Sequence, residues 1–336
     1  MELRFGMRRQ AIRTRLTGRG LVVSELGLGT SGFGNLFHET TAAAPASATD
    51  AAWAGGIRYF DTAPHYGLGL AEHRLGSALR ERPRDCYLIS TKVGRALVPT
   101  PENSDKLDDG GFAVAATHRR EFDFSRDGIM RSVDESLERL GIDDIDILYL
   151  HDPDDHWEEA STTGIAALEE LRDQGVVHAI GAGMNQSAML AEFVRRCDVD
   201  IVMLAGRYTL LDQSALDDLL PVAAERGVAV VAAGVYNSGL LSRDTVPDDA
   251  NYEYQPAPAE LVARARAIAD ICRQHGVTLP QTAVQFPLRH PAVVSAVVGA
   301  RGAEQAVGAV TRYEAKIPDA LWRELEEAGY IRPVTS

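Results

Sequence analysis

Cysteine is scarce. Cys86, Cys197 and Cys272 are the only three in 336 residues, far apart, odd in number and without C-x-x-C spacing. That excludes a disulfide scaffold or a thiolate metal site, and it fits a reduced, cytoplasmic protein whose thiols serve as small apolar side chains. None stands beside an activating base, which argues against a nucleophilic thiol. Long apolar runs are also missing. No stretch reaches the roughly 18 residues that a membrane span needs, and the basic start is not followed by the apolar core of a secretory signal. Positive charge is in deficit, with 34 Lys and Arg against 48 Asp and Glu and a net charge of −14. Six arginines against Glu2 alone occupy the first twenty residues, so the remainder carries −19. Such a body repels nucleic acid and anionic membranes, so neither is expected as a partner. Residues 1–12 read as a flexible basic arm ahead of a single domain over 13–336.

What is there is alternation. Short Val/Ile/Leu-rich runs at 24–29, 57–62, 86–92, 144–151, 176–183, 200–204, 228–233 and 292–299 suit strands buried on both faces of a parallel sheet. Helical patterns at 41–54, 70–81, 127–140, 162–174, 187–196, 212–226, 259–275 and 303–312 follow them one by one. Eight strands each followed by a helix predict a (β/α)₈ TIM barrel. Residues 13–24 predict an N-terminal hairpin, and extra helices are expected near 280–289 and 318–328. Two connections, 93–125 and 234–258, are rich in turn residues and lack periodicity. Both follow strands, so both are expected as irregular lids on the face where barrel enzymes keep their sites.

GLGTSG at 27–32 satisfies G-x-G-x-x-G, the dinucleotide-binding fingerprint of the Rossmann fold. The glycines of that fingerprint open a helix directly, whereas Phe33 to Thr41 intervene here, and Asp50 falls inside a helix. Gly29 and Thr30 therefore read as the exit of a first barrel strand, where backbone passes close to a ligand.

Four residues hold matching places in the alternation. Asp61, Lys92 and His151 end the second, third and fourth strands, and Tyr66 follows in the second loop. Strand ends converge on one rim of a barrel, so these residues become neighbours. A phenol with a solution pKa near ~10 exchanges protons poorly at neutral pH. A lysine ammonium beside it is expected to lower that value, with the aspartate holding the lysine and the histidine orienting a substrate oxygen. His151, Asp152, Asp154, Asp155 and His156 also suggest metal ligands, but carboxylates crowding a turn before a helix read as caps and solvated charge, and no metal is expected.

With these residues in place the chain resembles the aldo-keto reductase family over nearly its whole length. GIRYFDTAPHYG (56–67), STKVG (90–94) and LYLHDPD (148–154) match the family's signature stretches. The resemblance implies a (β/α)₈ barrel binding NAD or NADP across its rim, with Asp61, Tyr66, Lys92 and His151 as the catalytic tetrad. APHYGLGLAEHRLGSAL (63–79), HDPDDHWEEA (151–160), AGRYTLLDQ (205–213) and AAGVYNSGLL (232–241) are similar to the branch that oxidises sugars at C1. That branch acts on L-fucose, D-threo-aldoses or L-galactose, with pyridoxal 4-dehydrogenase a close relative. A cyclic hemiacetal would then lose hydride from C1 to give a lactone. His65, Tyr66, His151 and Trp157 are the expected substrate contacts.

For the cofactor, the resemblance implies Gly29, Thr30, Asp61, Asn185, Val235, Asn237, Gly239, Leu240, Gly299, Ala300, Arg301 and Gln305. Gly299 to Gly302 would offer backbone amides to a phosphate ahead of a helix, and Arg301 would pair a 2′-phosphate. The chain departs from the family where Ala205 stands for a glutamine, Ala233 for a stacking tyrosine and Gln305 for an arginine. NAD is therefore expected at least as readily as NADP. Two alternatives stay open: a general aldehyde or ketone reductase using the same four residues, and a nucleotide-binding regulatory barrel without turnover. The expected partner is a small sugar or carbonyl compound.

Overall fold

The computed structural model describes residues 12–253 and 255–334. The strands are β1 (Thr14–Leu16), β2 (Val22–Ser24), β3 (Leu26–Gly29), β4 (Tyr59–Asp61), β5 (Leu88–Val93), β6 (Arg95–Pro99) and β7 (His118–Phe122). They continue with β8 (Ile145–His151), β9 (Val177–Met184), β10 (Ile201–Ala205), β11 (Ala229–Ala233), β12 (Asn251–Tyr252), β13 (Gln255–Pro256) and β14 (Val293–Gly299). Eight of them close a parallel barrel in the order β3-β4-β5-β8-β9-β10-β11-β14, and β14 returns to β3 through Ala296↔Leu26 to Gly299↔Gly29. All eight expected barrel strands are present.

The continuous apolar character of these strands reflects burial on both faces. Inside the barrel, Tyr59, Ile147, Tyr149, Ile201, Met203, Ala229 and Val231 form one core; outside, Leu28, Phe60, Leu148, Leu150 and Val230 pack against the helices in a second. Alternation along each strand decides which core a residue joins. The N-terminal hairpin exists as β1 paired antiparallel with β2. It closes the bottom, where buried Glu25 takes Arg13, Arg15 and the Tyr313 hydroxyl. Ile12, expected in the arm, is buried in the outer core; the expectation for residues 1–11 lies outside the described residues.

The helices follow the expected pattern with three late starts, the first at Ala44 in place of 41. The helix expected from 212 begins at Leu219, after a turn at Ser214–Leu216, because Asp218 caps it by accepting from Leu219 N. The one expected from 162 begins at Ile165, after a wide turn at Ala160–Gly164. Both added helices are present, Leu279–Gln285 and Asp319–Glu327. No helix among the described residues is long and apolar enough to cross a membrane.

Connection 93–125 is not irregular as expected. β6 and β7 pair antiparallel from Arg95↔Phe122 to Pro99↔His118. The ribbon carries segment 107–115 across the barrel mouth, where Phe37 N donates to Gly111 O and Ala113 N to Asn35 O. Arg120 fastens it from inside, donating to both Asp108 carboxylate oxygens and to His65 O.

Candidate active site

Each strand that ends in one of the four residues also points its residue two positions earlier into the barrel. Under Asp61, Lys92 and His151 lie Tyr59, Ser90 and Tyr149. All three are fully buried, and they form a polar layer beneath the site. Ser90 Oγ donates to Asp61 Oδ1 at 2.7 Å, Tyr59 Oη lies 3.0 Å from Ser90 Oγ, and Tyr149 Oη lies 3.3 Å from Tyr59 Oη. Ser90 has one proton and spends it on Asp61, so Tyr59 donates to Ser90 and Tyr149 to Tyr59. Donors thus run in one direction toward the carboxylate. Burial raises both phenol pKa values, so each remains a neutral donor.

Above this layer, Lys92 Nζ lies 2.9 and 2.8 Å from the Asp61 oxygens, 2.9 Å from Thr62 O and 3.3 Å from Tyr66 Oη. Burial alone would depress the ammonium, but the Asp61 carboxylate and the Tyr66 oxygen more than offset it, and the group is held above its ordinary range. Three protons serve three partners. Thr30 clamps the same corner by donating its backbone N and Oγ1 to Asp61 O.

Tyr66 is held by backbone as much as by side chain. A Cβ at Gly34 would stand 2.5 Å from Tyr66 C, so the loop after β3 lies directly against the Tyr66 turn. Arg74, from the helix after that turn, donates to Phe33 O and Asn35 Oδ1 and locks the two loops together. The expected lowering of the phenol is not found. Burial raises the Tyr66 pKa, and Lys92 offsets this only in part. Tyr66 therefore rests as a neutral phenol.

His151 is buried, and desolvation with the positive charge of Lys92 and Arg95 pushes its pKa well below the usual imidazole value. His65, packed edge-on at 5.4 Å from His151 and 5.4 Å from Phe112, is lowered to about 3 by burial and by Arg120 and Arg95. Both rings are neutral at physiological pH, and His65 Nδ1 is buried without a hydrogen-bond partner.

Asp61, His65, Tyr66, Lys92 and His151 all line one cavity of about 490 Å³, together with Gly29, Thr30, Asn185 and Gly299. A second cavity of about 490 Å³ shares Gly299 and Gly234 with the first and continues along Val235, Asn237, Gly239, Ala300, Arg301 and Gln305. Together they form a trough along the rim. Two expected residues lie elsewhere. Trp157 lines neither cavity; it packs on Phe193 with centroids 4.8 Å apart, under the Arg196 guanidinium. Leu240 is buried in the outer core, drawn there by its apolar side chain. The turn at 299–302 is also less open than expected, because Arg301 N donates to Gln305 Oε1. The Arg301 guanidinium bonds Leu36 O and the His38 ring.

A nicotinamide dinucleotide fits this trough on two observations. A Cβ at Gly299 would meet nothing within 4 Å and would project into open space where the two cavities join, so glycine keeps that passage clear. Asn237 Oδ1 is buried in the wall without a partner, an acceptor suited to a ribose hydroxyl. Ala205 and Ala233 line the first cavity with Met184 and Met203, so small and thioether side chains stand where a glutamine and a tyrosine were expected.

The described residues include one cluster able to share a metal ion, Asp144, Asp146 and His178. It lies at the opposite end of the barrel, where Asp146 already accepts from Arg84 and from Ile89 N. Sequence reasoning missed the polar layer of Tyr59, Ser90 and Tyr149, and it read Asp152, which lies in the cavity wall, as a cap or solvated charge. The signal for the layer was the period of two, counted back from each strand end.

Residues 25–329 match the Aldo/keto reductase family. The chain belongs to this family. It is an oxidoreductase. Over 315 residues it is 48% identical to a D-threo-aldose 1-dehydrogenase from a Pseudomonas species, covering 93% of this chain and 96% of that protein. Over 345 residues it is 41% identical to the pyridoxal 4-dehydrogenase of Microbacterium luteolum, covering 97% and 100%. Among solved aldo-keto reductases, one from Bacillus halodurans in its holo form superposes with a TM-score of 0.75 at 27% identity, covering 96% of this chain and 98% of that one.

Proposed function

We propose that this aldo-keto reductase oxidises the cyclic hemiacetal of an aldose at C1 to a lactone, with NAD or NADP as hydride acceptor. The observation that carries the reading is the Lys92–Tyr66 contact. An ammonium has no lone pair, so at 3.3 Å it can only donate to the phenol oxygen, and the phenol's own proton is directed away from it. In reduction Tyr66 gives that proton to the carbonyl oxygen. In oxidation it must first lose the proton and then take one from the C1 hydroxyl. Lys92 stabilises the phenolate, Asp61 holds Lys92, and neutral His151 hydrogen-bonds the substrate oxygen. A nicotinamide lying over the Ala205 and Ala233 side of the cavity would supply the hydride acceptor. Asn237 and the Gly299 passage would hold the dinucleotide along the trough, and Asn185 the carboxamide.

The sugar assignment is supported by the 48% identity to the D-threo-aldose enzyme along almost the full length of both chains. A second reading, pyridoxal, has the support of the 41% identical relative and involves the same hemiacetal chemistry. The test is reduced-nicotinamide absorbance with NAD⁺ or NADP⁺ and L-fucose, L-galactose, D-arabinose or pyridoxal. Turnover of a 6-deoxy or threo sugar is expected. Silence across the panel with rapid reduction of simple aldehydes would overturn the lactol reading.

A further inference from the structure

Asp152, the first residue past β8, lines the cavity beside His151 and Tyr66 and takes no part in the chemistry described above. Its backbone is left-handed, with φ 44°, a conformation strained for a non-glycine residue. Its amide donates to Gly183 O at 3.0 Å, so the chain turns sharply while still tied to β9. The turn brings the carboxylate to the substrate side of the rim. There it sits 3.4 Å from the Arg95 guanidinium and 3.7 Å from His151 Nε2. The first is an ion pair, the second a contact with a neutral ring, and both are longer than ordinary hydrogen bonds. Arg95 opens the lid ribbon, and its Nε is buried without a partner. Burial raises the Asp152 carboxyl above its usual range, while Arg95 and Lys92 oppose that shift.

A strained backbone directs a partly buried carboxylate, its side chain 32% exposed, into the substrate cavity, and its neighbours leave its hydrogen-bonding capacity unfilled. Two adjacent hydroxyls present two donors at a spacing that two carboxylate oxygens can accept together. We propose that Asp152, backed by Arg95, is the specificity-determining residue that recognises vicinal hydroxyls of the substrate. This deepens, and rests on, the reading of the site as a polyhydroxylated-sugar site. A substrate without hydroxyls would cover the carboxylate and leave it unsatisfied, which is how a polar pocket rejects an apolar analogue.

The experiment compares glyceraldehyde with propanal, two three-carbon aldehydes that differ in their hydroxyls, as substrates for reduction by the wild type, Asp152→Asn and Asp152→Ala. Asparagine tolerates the left-handed backbone and keeps the shape. The expected result is a loss of about 10- to 100-fold in kcat/KM for glyceraldehyde, carried mainly by KM, with propanal unchanged or improved. Equal losses on both aldehydes would overturn the proposal, since they would mean that Asp152 acts through His151; so would no loss on either. The same proteins are tested for L-fucose oxidation. A wild type that oxidises no sugar would remove the lactol reading, while the glyceraldehyde-to-propanal ratio would still judge Asp152. Sugar oxidation with an unaltered ratio in the variants would remove the Asp152 proposal alone. Unchanged thermal midpoints and nucleotide affinities confirm that the variants are folded.

Discussion

Lys92 Nζ stands 3.3 Å from Tyr66 Oη, with its remaining protons committed to Asp61 and the Thr62 carbonyl. The phenol oxygen accepts there, and the phenol proton faces the cavity. Tyr66→Phe removes that proton and little else, since the ring remains packed at 6.2 Å from Phe112 and 6.0 Å from His151. Turnover is expected to fall by roughly 10²- to 10⁴-fold. Nucleotide affinity, read by quenching of protein fluorescence, is expected to stay within about twofold of the wild type, because the substitution leaves the trough wall intact. An active Tyr66→Phe protein would take the proton away from this residue.

Because burial raises the Tyr66 pKa, little phenolate exists at neutral pH. Oxidation needs the phenolate and reduction needs the phenol. The oxidative kcat/KM should therefore climb toward one decade per pH unit above pH 7, while the reductive value stays flat over the same range. His65 at about 3 and His151 well below 6.5 add no step between pH 5.5 and 7.5. Rate profiles in both directions check this. An oxidative rate independent of pH, or an inflection near 6.5 that disappears in His65→Asn, would contradict the assigned protonation states.

Asp61 and Lys92 are both almost wholly buried, at 3–4% side-chain exposure, so each neutralises a charge the other could not leave unpaired. Replacing Lys92 with Met, or Asp61 with Leu, is expected to cost about 3–5 kcal/mol of stability, read from urea midpoints. The double variant should recover most of that loss, since the pair's own attraction is largely spent on its desolvation. Activity should not return with it. A double variant as unstable as the sum of the two singles would show that the pair stabilises the fold outright.

The barrel was legible because its eight strands are buried on both faces and the helices around them on one, and both periods are local properties of the chain. The four residues were legible for the same reason: each is named by the end of a strand or the turn after it. Three things were not. The β6–β7 ribbon is polar and two-stranded, and its partner on the lid is the loop at Asn35 to Phe37, some 75 residues earlier in the chain. Trp157 faced a choice between the cavity and Phe193 that neighbours in sequence do not decide. The raised phenol depends on how much protein surrounds Tyr66, set by Gly34 and the lid. Local pattern carries periodicity; it does not carry the burial that distant segments impose.

The polar layer offers the last prediction. Tyr59 links Tyr149 to Ser90, receiving from one and donating to the other. Tyr59→Phe leaves the Tyr149 hydroxyl without its acceptor and Ser90 without its donor, in a place with no exposure to water. An unsatisfied buried hydroxyl costs about 1–3 kcal/mol, so the midpoint should fall accordingly. Removing the second phenol as well discards the stranded group. Tyr59→Phe in a Tyr149→Phe background should therefore cost measurably less than in the wild type, and a double-mutant cycle on urea midpoints reads the difference as coupling. kcat should drop severalfold in Tyr59→Phe while KM holds, since the layer acts on Asp61 and through it on Lys92, away from the bound substrate. Equal costs in the two backgrounds would mean that the phenols do not act as a chain, and the one-way ordering of donors toward Asp61 would have to be abandoned.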